Sequence, residues 1–170
     1  MNQPHYILLP VNVTFIFISL FLAFLLNLLP WGMISGVPDF VALTLVFWST
    51  HQPRKIGVGT AFIMGLLMDV HTASLLGENA LAYTLLSYFA ITIHRRVLWF
   101  APIKQSLHVF PLFLLVQVVQ VIVEMAVNGK FPGWIYFVQS FTTAALWPLA
   151  TWILLAPQRR AVNRDHTRPI

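Results

Sequence analysis

Two groups of polar side chains sit in stretches that otherwise read as lipid-soluble helix. The first is GLLMDVHTASLLGENALAY, residues 65–83, in which Asp69 interrupts an apolar run and Glu78 follows nine residues later. The second is Gln117, Gln120, Glu124 and Asn128, which fall within about 80° of one another at 100° per residue and so form a polar stripe on one helix face. Carboxylates that share a pocket shift one another's proton affinity and can handle protons or cations. Amides with one acid can instead bond across to neighbouring helices, each contributing about 0.6–2 kcal/mol in a membrane, or line a pore. Other chemistries lack candidates. The chain has no cysteine, so thiolate nucleophiles, thiolate metal sites and disulfides are excluded. His5, His51, His71, His94, His108 and His166 show no i,i+4 pairing, and there is no HExxH, P-loop or GxSxG. No catalytic residue, metal site or cofactor is expected.

What positions these groups follows from composition. Of 170 residues, 58% are hydrophobic and 9% charged, against roughly 25% charged in a soluble domain. This is the make-up of an integral membrane protein. No segment combines basic residues with exposed aromatics, so the net charge of +5 does not point to nucleic acid. Breakers mark six apolar stretches, roughly 7–29, 37–50, 56–73, 79–93, 106–127 and 134–156. The first is too long for a signal-peptide core and is read as a retained span. The second is too short to cross about 30 Å of hydrocarbon unaided, which calls for a short, tilted or half-inserted helix.

Charge supports six crossings. With the N-terminus inside, Arg54, Lys55, Arg95, Arg96, Lys104, Arg159, Arg160, Arg164 and Arg168 all fall on the inner side, and only Lys130 falls outside. If the second stretch did not cross, the middle basic groups would lie outside, against the positive-inside bias. The expected fold is therefore all-α: an integral membrane bundle of six transmembrane helices over residues 1–156, with a basic cytoplasmic tail, 157–170, that acts as a topology determinant or meets anionic lipid.

In this frame Asp69 lies about 20 Å along the third span, in the outer half of the bilayer. A carboxylate there costs about 3 kcal/mol on insertion scales and should face the bundle, water or the interface. Gly57, Ala61, Gly65 and Asp69 follow at intervals of four, a ridge of small residues that lets another backbone come close. An aspartate paired in that interface and one capping the next helix through nearby amides look the same in sequence. Glu78 reads as a helix-start carboxylate favoured by the dipole. Asp39, Asp69, Glu78 and Glu124 all lie toward the outer face, with Asp165 alone inside. Trp31, Trp99, Trp134 and Tyr136 fall at span ends, as in an aromatic belt.

Three segments, PDFVALTLVFW at 38–48, GLLMDVHTASLLGENALAY at 65–83 and HRRVLWF at 94–100, resemble the MreD family of rod shape-determining membrane proteins. The likeness covers nearly the whole length, and its motif lands on Pro38, Asp39, Gly65, Asp69 and Gly77. Family members often carry a further glycine a few residues after the aspartate, where this chain has His-Thr-Ala-Ser. The resemblance implies a non-catalytic inner-membrane scaffold of the cell-elongation machinery. It would bind the bitopic protein MreC and support peptidoglycan synthesis by the elongation glycosyltransferase and its penicillin-binding transpeptidase, alongside the actin-like filament protein. It also implies a fold similar to the substrate-binding subunits of energy-coupling vitamin transporters. The rival readings are a substrate-binding transport subunit, with the outer carboxylates and the Gln117–Glu124 stripe forming its pocket, and a proton-coupled channel.

Overall fold

The computed structural model describes residues 6–8, 12–31, 36–129 and 131–161, with backbone alone for 6–8 and 159–161. His5, Lys130, Arg164, Asp165, His166 and Arg168 lie outside the described residues. Six helices succeed one another: α1 Val13–Leu28, α2 Phe40–His51, α3 Val58–Thr72, α4 Glu78–Leu98, α5 Pro102–Asn128, and a last helix in two pieces, α6 Val138–Ala145 and α7 Trp147–Leu155. A 3-10 turn, Trp134–Phe137, leads into α6. A three-residue antiparallel ladder pairs β1 Tyr6–Leu8 with β2 Arg159–Ala161.

Local chemistry sets the helix ends. Asn12 caps α1 by accepting from the Thr14 amide at 3.1 Å, and Asp39 caps α2 by accepting from the Ala42 amide at 2.9 Å. Pro102 opens α5 at a position where its missing N–H costs nothing. Arg95 and Arg96 occupy the last turn of α4, where the helix dipole favours cations. That is why α4 runs on to Leu98 and the turn expected across residues 94–104 contracts to Trp99–Ala101. The run expected at 134–156 is interrupted at Leu146, because Pro148 has no N–H for the carbonyl of Ala144 and its ring crowds that carbonyl.

The short second helix is the hub of the core. All ten residues from Val41 to Thr50 are buried, with the hydroxyls of Thr44, Ser49 and Thr50 each hydrogen-bonded, and a helix with no exposed face belongs inside a bundle. Its 12 residues cover only about 18 Å at 1.5 Å each, a length it can have because other helices, and not lipid, surround it. Trp48 donates to the Ser19 hydroxyl of α1 at 2.8 Å, Ser49 bonds Ser87 of α4 at 2.9 Å, and Phe47 packs on Trp147 of α7. Outward-facing positions remain apolar: Phe17, Phe21 and Leu22 on α1, Ile63 and Val70 on α3, Ile122 on α5 and Trp152 on α7 are all exposed. A surface this apolar on several helices is what a hydrocarbon environment requires. By length and composition, Pro102–Asn128 and Trp134–Gln158 are the helices able to cross a membrane, while α1, α2 and α3 are shorter apolar helices.

Candidate functional site

Asp69 is 1% exposed near the end of α3. One carboxylate oxygen accepts from the Asn79 amide at 2.7 Å and the Ser74 hydroxyl at 3.3 Å. The other accepts from the amides of Gly77 at 2.8 Å and Ala80 at 3.4 Å. These are the unpaired N–H groups that open α4, so the acid at the end of one helix caps the start of the next. The same turn is drawn in at Gly65, where an added Cβ would lie 2.4 Å from the Ala80 Cα and 2.6 Å from its amide nitrogen. Ala61, one turn earlier, is fully buried. Gly57 differs: it precedes the first residue of α3, and a Cβ there would meet nothing within 4 Å. Close backbone approach is thus seen at Gly65, with Ala61 and Asp69 buried one turn to either side of it, and Gly57 is the residue before the helix start. Glu78 is the first residue of α4, after Gly77 at φ 104°.

Asp39 follows Pro38 and is the second convergence point. Its Oδ1 accepts from Asn27 of α1 at 2.9 Å and from its own helix at Ala42, and its Oδ2 accepts from the Tyr83 hydroxyl of α4 at 2.6 Å. The Asp39 amide donates to the Thr143 hydroxyl of α6, and Asn27 accepts in return from the Phe40 amide, each at 3.0 Å. Three helices meet at this side chain, α1, α2 and α4, and the backbone amide of the same residue adds α6. Asn27, Tyr83 and Thr143 did not stand out in the sequence. Asn27 alone carried a usable signal, as an amide inside an apolar run.

The stripe on α5 divides. Gln117 and Gln120 are buried. Gln120 donates to the Asn79 side chain at 2.6 Å and accepts from the Tyr136 hydroxyl at 2.9 Å. Gln117 donates to the Tyr136 carbonyl at 2.7 Å and accepts from Ser140. Tyr136, half-buried, therefore braces α5 through its hydroxyl and carbonyl, unlike the exposed Trp31, Trp99 and Trp134. Glu124 and Asn128, higher on α5, border an open cleft of about 570 Å³ with Ser74 and Glu78. The stripe is continuous in sequence and not in environment, because α6 starts below the last turns of α5 and leaves them uncovered. Between the Asp39 and Gln117–Gln120 groups lies a water-sized cavity of about 10 Å³, walled also by Ser140 and Thr143. A second bridge, Trp147 to Gln105 at 3.0 Å, ties α7 to the opposite end of α5.

The arrangement ties helices together. Every oxygen of Asp39 and Asp69 accepts from a structural donor, and no group of three or more His, Asp or Glu fit for a metal occurs among the described residues. This defines an apolar helical bundle pinned by one buried carboxylate, Asp69, and one half-buried carboxylate, Asp39, a make-up suited to a membrane protein. A scan against protein families matches residues 10–156 to the rod shape-determining protein MreD, and the chain belongs to that family. It is 30% identical over 140 residues to the rod shape-determining protein MreD of Haemophilus influenzae, covering 79% of this chain and 82% of that protein. No solved structure matches it. Membership carries a role in determining rod shape and a place in the membrane, and it indicates no enzymatic domain.

Proposed function

We propose that the chain is a non-catalytic scaffold of the cell-elongation machinery in the bacterial inner membrane, crossing it six times with both termini in the cytoplasm. Its task is to hold MreC and, through it, support the elongation glycosyltransferase and penicillin-binding transpeptidase. The observation that carries the reading is the full engagement of Asp39 and Asp69 by donors from other segments, which leaves neither carboxylate free to cycle protons or bind a substrate. Six crossings agree with the polar layer, in which the end of α1, the start of α2, the end of α3, the start of α4, late α5 and the start of the last helix come together. The ladder between β1 and β2 likewise brings the two ends of the described chain to a common side. The six-helix arrangement and outward polar layer are also what a fold similar to the vitamin-transporter subunits would have. In that rival, the substrate would sit in the open cleft beside Glu78 and Glu124.

Complementation of a shape-defective strain separates the two, with variants compared at matched membrane levels. Asp69→Asn keeps an acceptor for one pair of donors and sets an NH₂ against the other, so partial rod shape and partial MreC co-purification are expected. Asp69→Leu leaves the Gly77 and Asn79 amides without a partner, at about 1–3 kcal/mol for each buried group, and should do worse on both readouts. The double variant Glu78→Gln, Glu124→Gln should sustain normal rods. Loss of shape in that double variant, with protein present and MreC still captured, would overturn the scaffold in favour of transport.

A further inference from the structure

Beside the polar layer, α5 and α6 diverge along a groove of about 440 Å³ that nothing above explains. One wall is the i, i+3, i+4, i+7 face of α5 from Ile103 to Phe110, and the other is Phe141, Ala144 and Ala145 of α6. Ile103 is 77% exposed and Phe141 67%. Ser106, the single hydroxyl in the lining, is satisfied within its own helix by donating to the Ile103 carbonyl at 2.6 Å. The groove is therefore apolar in effect as well as in composition.

Its two ends differ. At one end Phe110 and Phe141 meet edge to face, with ring centroids 6.5 Å apart at 80°. The other end runs out at Ile103, beside Lys104 in the first turn of α5, and Lys104 is exposed. Arg95 and Arg96, also exposed, lie in the last turn of α4 just before the connecting turn. From Ile103 to Phe110 the groove runs only about 10 Å at 1.5 Å per residue. A transmembrane helix needs a seam through about 30 Å of hydrocarbon, so a groove stopped by two rings suits a flexible chain that enters from the charged end.

We propose that this groove holds an acyl chain of an anionic phospholipid, with Lys104 meeting the phosphate. Cations close to a membrane surface attract anionic headgroups, and a blind apolar slot below one of them adds contact for the tail of the same molecule. Assignment of the lipid to the cytoplasmic leaflet rests on the orientation proposed above. The headgroup preference does not, so the two readings fail separately.

The test uses the full chain in vesicles of equal parts phosphatidylglycerol and phosphatidylcholine with the same tails. A photoreactive benzoylphenylalanine replaces Ile103 at the groove edge, and in a control it replaces Phe62, exposed on α3. Lipid adducts are then read by mass spectrometry. Adducts at Ile103 should favour phosphatidylglycerol several-fold and those at Phe62 should follow the bulk composition. Lys104→Gln should bring Ile103 to parity, and Ala145→Trp, which fills the slot from an exposed position, should cut the Ile103 lipid adducts several-fold. Parity at Ile103 in the unmodified background would overturn the proposal, as would a preference that survives both variants. So would adducts in native membranes that are mainly polypeptide, which would give the groove to a partner helix.

Discussion

Ala73 is the only non-glycine residue with positive φ among the described residues, at 50°, and it ends α3 in the left-handed conformation. An L side chain there costs about 1–2 kcal/mol that glycine escapes, partly offset by the greater chain entropy glycine loses on folding. Family members often place a glycine a few residues after the aspartate, and this backbone position is one that asks for it. Ala73→Gly should therefore stabilise the purified protein by up to about 1 kcal/mol, and Ala73→Val should destabilise it. Thermal unfolding in detergent reads both, and a lower midpoint for the glycine variant would mean that residue 73 is not strained. The site was only half legible at this scale. Asp69 could be read because a charge in an apolar span must find partners and the donors it finds are within eleven residues of it. The partners of Asp39 are 12, 44 and 104 positions away, and no local period connects them. Tyr83 and Tyr136 read as ordinary aromatics until their hydroxyls are placed.

Between elements, the contact of α3 with α4 hangs on Gly65. Its hydrogen faces backbone and not the end of a side chain, so a methyl group cannot be absorbed by a rotamer change. Gly65→Ala should destabilise by about 1–3 kcal/mol, the usual cost of overpacking, and Gly65→Leu should abolish accumulation in the membrane. Gly57→Ala, with open space around it, should be tolerated. Membrane-fraction immunoblots with cell morphology give the comparison, and equal accumulation of Gly65→Leu and the unmodified chain would place that face in lipid. Most helices were visible in sequence because apolar runs and their breakers are local. The long α4 and the break at Leu146 were not, since the first depends on charges that a helix end accommodates and the second on a single proline inside an apolar run. The short second stretch was visible as an anomaly, but its explanation, burial by other helices on every side, is a property of packing that the run itself does not contain.

For the whole molecule, the basic residues decide which way the bundle faces. Arg54, Lys55, Arg95, Arg96 and Lys104 lie in or beside the turns after α2 and α4, while Asp39, Asp69, Glu78 and Glu124 lie toward the other ends of the helices. Cytoplasmic loops retain Lys and Arg, so the carboxylate end should face outward. The chain has no cysteine, and single cysteines therefore report without background. Leu76 is 76% exposed between α3 and α4, and Ala101 is exposed between α4 and α5. In intact cells, or spheroplasts where an outer membrane blocks access, an impermeant thiol reagent should label Leu76→Cys and spare Ala101→Cys until the membrane is opened. If α4 did not cross, the two would respond alike, and if the bundle faced the other way, Ala101→Cys alone would react. Either result would move the polar layer to the cytoplasmic side or split it between the two, and would remove Lys104 from the side assigned to its phospholipid. The predicted order of labelling thus tests the orientation on which the proposed scaffold presents its capped carboxylates to the periplasmic side.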